Sequence, residues 1–223
     1  MKKFELTAEF VTNVFGKKLF RIKALVAFGN VEKGELGGFI EKEDNLSHDG
    51  DAWVYGNAQV SGDARVYGNA QVFGNARVYG NAQVSGNARV YGNAWVYGDA
   101  WVYGNAQVSD DARVYGNAWV FGNAQVFGNA RVYGNAQVSG NARVYGNADY
   151  AVVKGFGRCF RTTTFFRCKD KILRVQCGCF YGDLAQFREI VKKTHGDSKY
   201  AKEYLAIADL MELHFSDECG GEQ

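Results

Sequence analysis

Gly56-Asn57-Ala58-Gln59-Val60-Ser61 is followed by Gly62-Asp63-Ala64-Arg65-Val66-Tyr67 and then by Gly68-Asn69-Ala70-Gln71-Val72-Phe73. The same pattern, Gly-Asn-Ala-x-Val-(Tyr/Ser/Phe), runs from Ala52 to Ala148 without losing register. Valine holds every sixth position from Val54 to Val144, sixteen times. Fixed-period self-similarity decides the architecture before any other signal. A period of six is too short for helix-pair repeats and does not fit the 3.6-residue face of a helix. Within one unit, Ala52-Trp53-Val54-Tyr55 alternates as a short strand does, with Ala52 and Val54 on one side and Trp53 and Tyr55 on the other. Gly56-Asn57 then turns the chain, since glycine takes positive φ freely and Asn tolerates the left-handed region. Asp63, Asp99 and Asp111, in place of Asn, fit the same corner.

The small Ala and the branched Val always share a side, so that side is the expected interior. Burying each valine contributes about 1.5–3 kcal/mol. Successive coils are expected to pair in parallel at about 4.8 Å, which makes a mainly β, single-stranded parallel β-helix.

Val54-Tyr55-Gly56-Asn57-Ala58-Gln59 resembles the bacterial hexapeptide-repeat family, with an aliphatic residue at Val54 and a small one four positions on at Ala58. It departs at Tyr55, where that family has a small or acidic residue. The resemblance implies a left-handed, triangular β-helix of three hexads and 18 residues per coil, and a little over five coils for 52–148. A second run, Gly34-Glu35-Leu36-Gly37-Gly38-Phe39-Ile40-Glu41 with Asn45-Leu46-Ser47 and Gly50-Asp51-Ala52-Trp53-Val54, resembles the start of a family found in enteric bacteria and in phage and prophage genomes. Its members carry acetyltransferase or polymer-forming labels on repeat similarity alone. That likeness covers roughly the first 150 residues and implies a phage or prophage source.

The 223 residues carry a net charge of +2, so no global field points to a nucleic acid or a membrane surface. No apolar run reaches the length of a membrane span, and Met1-Lys2-Lys3-Phe4-Glu5 has no secretory core. The five cysteines, Cys159, Cys168, Cys177, Cys179 and Cys219, all lie outside the repeat. An odd number without an export signal favours reduced thiols in the cytoplasm of a bacterial host over a disulfide framework. Proline is absent, which suits a chain whose ladders use every N–H.

Residues 4–30 alternate apolar and polar around a turn at Asn13 to Lys18, a β-hairpin, with a short strand after Gly34. Past Ala148 the period stops. Tyr150-Ala151-Val152-Val153 reads as one more strand, and residues 161–167 and 172–177 as two strands about a Lys169-Asp170-Lys171 turn. Asp183 reads as the N-cap of a helix to about Thr194, and a second helix runs from Ser198 to Leu213. The expected division is an N-terminal β cap over 1–51, the repeat β-helix over 52–150, a C-terminal α+β cap over 151–215 and a flexible tail over 216–223. Both caps would cover strand edges that an open solenoid exposes.

Residues on either side of each valine are expected to look outward and to stack every 18 positions. One face would then carry Arg77/Tyr79, Trp95/Tyr97, Arg113/Tyr115 and Arg131/Tyr133, with Tyr rings over Arg. Trp101 and Trp119 fall on a second face, and Trp53/Tyr55 on the third. Cross-strand packing alone accounts for such rows. So many aromatics in water, of the types that dominate contact hot spots, favour a binding surface instead. The hexapeptide-repeat resemblance implies a homo-oligomer, a trimer packed side by side; a host protein is the other partner considered.

Acyl transfer in that family uses a His base and a loop extruded from the coils. The chain has only His48, His195 and His214, none between Val54 and Val144, and no loop breaks the rod. His48, at the first corner, is the one catalytic candidate, against a solvated corner residue. Cys159, Cys177 and Cys179 invite zinc, but Cys177-Gly178-Cys179 lacks the usual two-residue gap, and buried thiols are favoured. No cofactor is expected. Six arginines against four aspartates, spread over three faces, argue against a nucleic-acid partner. The reading is a non-enzymatic structural or interaction protein. The alternative is an acyl-CoA-dependent hexapeptide-repeat acyltransferase. A third reading is a ligand- or nucleic-acid-binding module acting against host defence.

Overall fold

The computed structural model describes residues 2–216. Cys219 and all of the expected tail but Ser216 lie outside the described residues. Strands β1 (Phe4–Thr12), β2 (Lys18–Ala24) and β3 (Leu36–Ile40) form an antiparallel meander. Sixteen two-residue strands follow, β4 (Trp53–Val54) to β19 (Arg143–Val144), one per hexad. Each of the first thirteen pairs in parallel with the strand eighteen residues on, as Arg77–Val78 does with Trp95–Val96, and β17 to β19 end the three ladders. Three sheets result, and they wrap one core.

Every Ala and Val of the repeat, from Ala52 to Val144, is fully buried. The corners turn on glycine: Gly62, at φ +70, stacks so closely on Gly80 that an added Cβ would meet its backbone oxygen at 3.0 Å. Asn is not in the left-handed region, contrary to expectation. It serves the corner with its side chain instead. Asn69 donates to Asn87, Asn87 to Asn105, Asn105 to Asn123 and Asn123 to Asn141, a ladder along one edge. Asp99 and Asp111 accept from Asn81 and Asn93 in the same way.

The rod begins earlier than the hexad pattern does. Ile40 and Leu46 lie opposite Val60 and Val66, twenty residues on, and supply the first inward positions. The two extra residues fall in the Ser47–Asp51 corner, which hides this coil from a six-residue count. With it the rod has about six coils of three hexads. The sheet holding Gln59–Val60 also runs through β3 into β2 and β1, so the N-terminal strands continue one side of the rod. Trp53 is a correction. It does not face water but is fully buried under the N-terminal segment, edge-on to Phe28 at 5.3 Å and to Phe4 at 6.2 Å.

At the far end, β20 (Tyr150–Phe156), β21 (Arg161–Arg167), β22 (Leu173–Cys177) and β23 (Phe180–Asp183) form an antiparallel sheet. Tyr150–Phe156 therefore joins this sheet rather than the rod, and β23 is a strand that the sequence did not announce. Helices α1 (Leu184–His195) and α2 (Lys199–Phe215) cover one side of the sheet. Asp183 caps α1, accepting from the Gln186 N–H at 2.8 Å. The other side meets the rod. The Gln137 N–H donates to Thr164 Oγ1 and the Lys169 N–H to the Asn141 carbonyl, occupying groups of the last coil. Among the described residues no helix is long and apolar enough to cross a membrane.

Candidate functional site

On the first face Arg77, Trp95, Arg113 and Arg131 are successive partners along one row, with Tyr79, Tyr97, Tyr115 and Tyr133 beside them. Neighbouring tyrosine rings stack at 4.9, 4.9 and 5.3 Å and lie within 11° of parallel. Ring faces are spent on one another, so mostly edges and hydroxyls reach water. Tyr79, Tyr97 and Tyr115 are half-buried, and only Tyr133, at the end of the row, is 52% exposed. Burial pushes the Tyr79 phenol up to about 12, helped by Tyr97, and raises Tyr97 as well. Among the described residues no guanidinium lies over a tyrosine of this row. Arg77 and Arg113 sandwich the Trp95 ring at 5.1 and 5.0 Å, because the residue before each valine stacks with its own kind eighteen positions away.

Both ends of this row are closed by the chain itself. Phe15, at the tip of the β1–β2 hairpin, lies against Tyr79 at 5.2 Å. At the other end the Arg131 N–H donates to Asn147 Oδ1 and the Tyr150 hydroxyl donates to the Arg131 carbonyl, so side chains stand where another strand would pair. On the second face Trp101 and Trp119 stack at 5.4 Å and are each 37% exposed, as a ridge.

The serines that interrupt the aromatic rows carry a signal that the hexad pattern alone does not reveal. Ser61, Ser85, Ser109 and Ser139 each follow Gln-Val, in hexads that would otherwise end in a ring. Ser61 lies under the hairpin tip, where Asn13 Nδ2 approaches its hydroxyl at 3.5 Å. Ser139 lies under the C-terminal sheet and donates to Gln176 Oε1 at 2.9 Å.

His48 is fixed by structural contacts. Its Nδ1 accepts from the Lys3 N–H at 3.1 Å, and its ring stacks on Phe4 at 4.4 Å. Lys3 itself is buried, donating to the carbonyls of Gly50 and Ala52 at 3.1 and 2.9 Å, and desolvation lowers its ammonium to about 8. The two residues tie the N-terminal strand to the irregular first corner.

Cys159, Cys177 and Cys179 all line one cavity of about 380 Å³ between the C-terminal sheet and the helices, with Arg158, Arg161 and His195. Gly178-Cys179 is the turn between β22 and β23, and Cys159 and Cys179 are exposed rather than buried as expected, because both sit in turns at the mouth of the cavity. Thr163 Oγ1 lies 3.2 Å from Cys177 Sγ. Among the described residues no three His, Cys, Asp or Glu side chains converge as metal ligands.

Comparison with protein families matches the YdcK Beta solenoid repeat in seven successive stretches, from 58–72 to 136–148. The match lies wholly within the rod and covers less than half of the chain. No curated protein matches the chain. Period, buried valine columns and repeat match agree: this is a β-solenoid repeat protein whose rod is similar to the YdcK Beta solenoid repeats.

Proposed function

We propose that this is a non-enzymatic structural protein whose first face binds a second copy of the same chain. The observation that carries the reading is the unbroken row Tyr79, Tyr97, Tyr115 and Tyr133 beside the Arg77–Trp95–Arg113 sandwich. Each ring is already held by its neighbours, so the face gives up little side-chain freedom on contact. Tyr, Trp and Arg are the types that anchor interfaces. The outward hydroxyls and ring edges make the contact part apolar and part hydrogen-bonded. The resemblance to hexapeptide-repeat proteins adds the trimer, and the likeness of Gly34 to Glu41 adds a phage or prophage source. A host protein on the same face is the competing occupant. The acyltransferase alternative draws less support from His48, whose Nδ1 is engaged by Lys3.

Mass in solution across a wide concentration range tests the proposal. The expected result is an oligomer that Tyr97→Ser together with Arg113→Glu dissociates. Serine already occupies that hexad position at Ser85, so the variant keeps the coil. A strict monomer at every concentration overturns self-association. Acyl-CoA turnover abolished by His48→Ala would replace the proposal with the enzymatic one.

A further inference from the structure

Two of the four Gln-Val-Ser hexads are covered by the chain's own caps: Asn13 of the hairpin tip approaches Ser61 while Phe15 lies against Tyr79 one coil on, and Gln176 sits on Ser139. Among the described residues the gap above Ser109, which is itself buried at its floor, is lined by residues of the rod alone. The third face stacks Phe73 on Tyr91 at 4.9 Å and 1°, loses its ring at Ser109, and resumes at Phe127. The facing sides of Tyr91 and Phe127 meet no aromatic ring among the described residues, since Arg143 and Tyr145 engage Phe127 from the following coil. One missing rung of a ladder set by the strand spacing leaves about 10 Å between the flanking rings, room for one planar ring about 5 Å from each.

The gap is a cavity of about 240 Å³ lined by Tyr91, Gln107, Ser109, Gln125, Phe127 and Arg143, with Asp110 at its corner. Its rim is polar. Gln107 Oε1 accepts from the Tyr91 hydroxyl at 3.4 Å, which leaves the Gln107 NH₂ group to donate. Neither the Gln125 amide nor the Arg143 guanidinium has a hydrogen-bond or carboxylate partner among the described residues. An apolar side chain would leave these groups unanswered, whereas a heteroaromatic ring with a hydrogen-bonding edge and an anionic substituent answers each of them.

We propose that the Ser109 gap binds a single purine or pyrimidine mononucleotide. The base stacks between Tyr91 and Phe127, its edge meets the amides of Gln107 and Gln125, and its phosphate pairs with Arg143. The neighbouring rungs are filled by the chain's own rings, so the gap takes one base and offers no place to the next base of a strand.

The test titrates the full chain with AMP, GMP, CMP and UMP, with the matching nucleosides and with N-acetyltyrosinamide, followed by proton NMR and calorimetry. At least one mononucleotide is expected to bind saturably, with its base protons shifted upfield by the flanking rings. Ser109→Tyr fills the gap with the residue found at the equivalent Tyr91, so it folds, and it is expected to weaken binding at least about tenfold through the lost stacking. Arg143→Ala is expected to weaken the mononucleotide but not its nucleoside. No mononucleotide binding at millimolar concentration, unchanged binding by Ser109→Tyr, or binding of N-acetyltyrosinamide alone each overturns the proposal. The site is on the third face, so its failure leaves the first-face reading untouched.

Discussion

Phe165 and Phe166 are neighbours on β21 that serve different cores. Phe166 is fully buried against the end of the valine column, in one cluster with Val144 and Cys168. Phe165 points the other way, edge-on to Phe187 of α1 at 6.0 Å, within the cluster of the sheet and helices. Strand alternation makes one two-residue step both the plug of the rod and the floor of the helical layer.

Truncating the two rings should therefore have separable effects. Phe166→Ala is expected to cost about 3–5 kcal/mol and to speed amide exchange in the last coil, around Val138 and Val144. Phe165→Ala should cost a similar amount in the C-terminal layer and lower the helical circular-dichroism signal, while exchange in the central coils stays unchanged. Equal loss of protection in both regions for either variant would contradict the division.

How far the chain could be read in advance follows from where each feature's determinants lie. The valine columns and outer rows were legible because one local period fixes them, and the eighteen-residue pairing came from the family resemblance. The first coil was not, because the longer corner at Ser47–Asp51 shifts Leu46 two positions out of phase. Trp53 occupies an outward hexad position, and only the distant Phe4 and Phe28 decide that it is buried. Local sequence pairs Arg77 with Tyr79 two residues on, whereas the coil brings it over Trp95 eighteen residues away. The cavity that gathers Cys159, Cys177 and Cys179 depends on how β20–β23 fold under the helices, and β23 is a short strand with a glycine inside it.

Asp110 stands where the other corners have glycine, and it takes φ +57. Its carboxylate repays part of that strain by accepting the Gly128 N–H at 3.0 Å, one coil on. Asp110→Ala keeps the Cβ and loses the acceptor, so it should destabilise by about 1–2 kcal/mol. Asp110→Gly loses the acceptor but relieves the backbone, and should lie within about 0.5 kcal/mol of the parent. Urea midpoints of the two variants check the order. Alanine as stable as glycine would mean that the corner does not feel the left-handed backbone.

The Tyr79 phenol is raised from 10 to about 12, chiefly by burial and then by Tyr97. A folded-state value above the unfolded one means that the native chain holds its proton longer. The associated stability is complete below pH 10 and is lost as the pH rises through 10 to 12. Tyr79→Phe should flatten the fall in unfolding free energy over that window and remove one late-titrating phenolate from the absorbance at 295 nm. A variant whose alkaline profile overlays that of the parent would show that Tyr79 titrates as an exposed tyrosine.

Asn45 closes the other end of the rod by imitating a strand. Fully buried, it donates from Nδ2 to the carbonyls of Gly62 and Ala64 at 3.0 and 2.9 Å, and its Oδ1 accepts the Lys42 N–H at 2.9 Å. Those carbonyls belong to the first hexad of the second face, just before Arg65–Val66, the terminal strand of that sheet. Asn45→Ala would leave one buried and one part-buried acceptor and one part-buried donor unanswered. Each orphaned group costs about 1–3 kcal/mol, so a loss of about 3 kcal/mol is expected, with faster exchange at Ser47 and Val66. Asn45→Asp keeps the acceptor for Lys42 but turns a carboxylate toward two carbonyls. It should therefore be at least as destabilising near pH 7 and should recover in part at acid pH, where the protonated acid can donate to one of them. If Asn45→Asp proves more stable at pH 7 than at pH 4, the carbonyls are satisfied by something other than this amide.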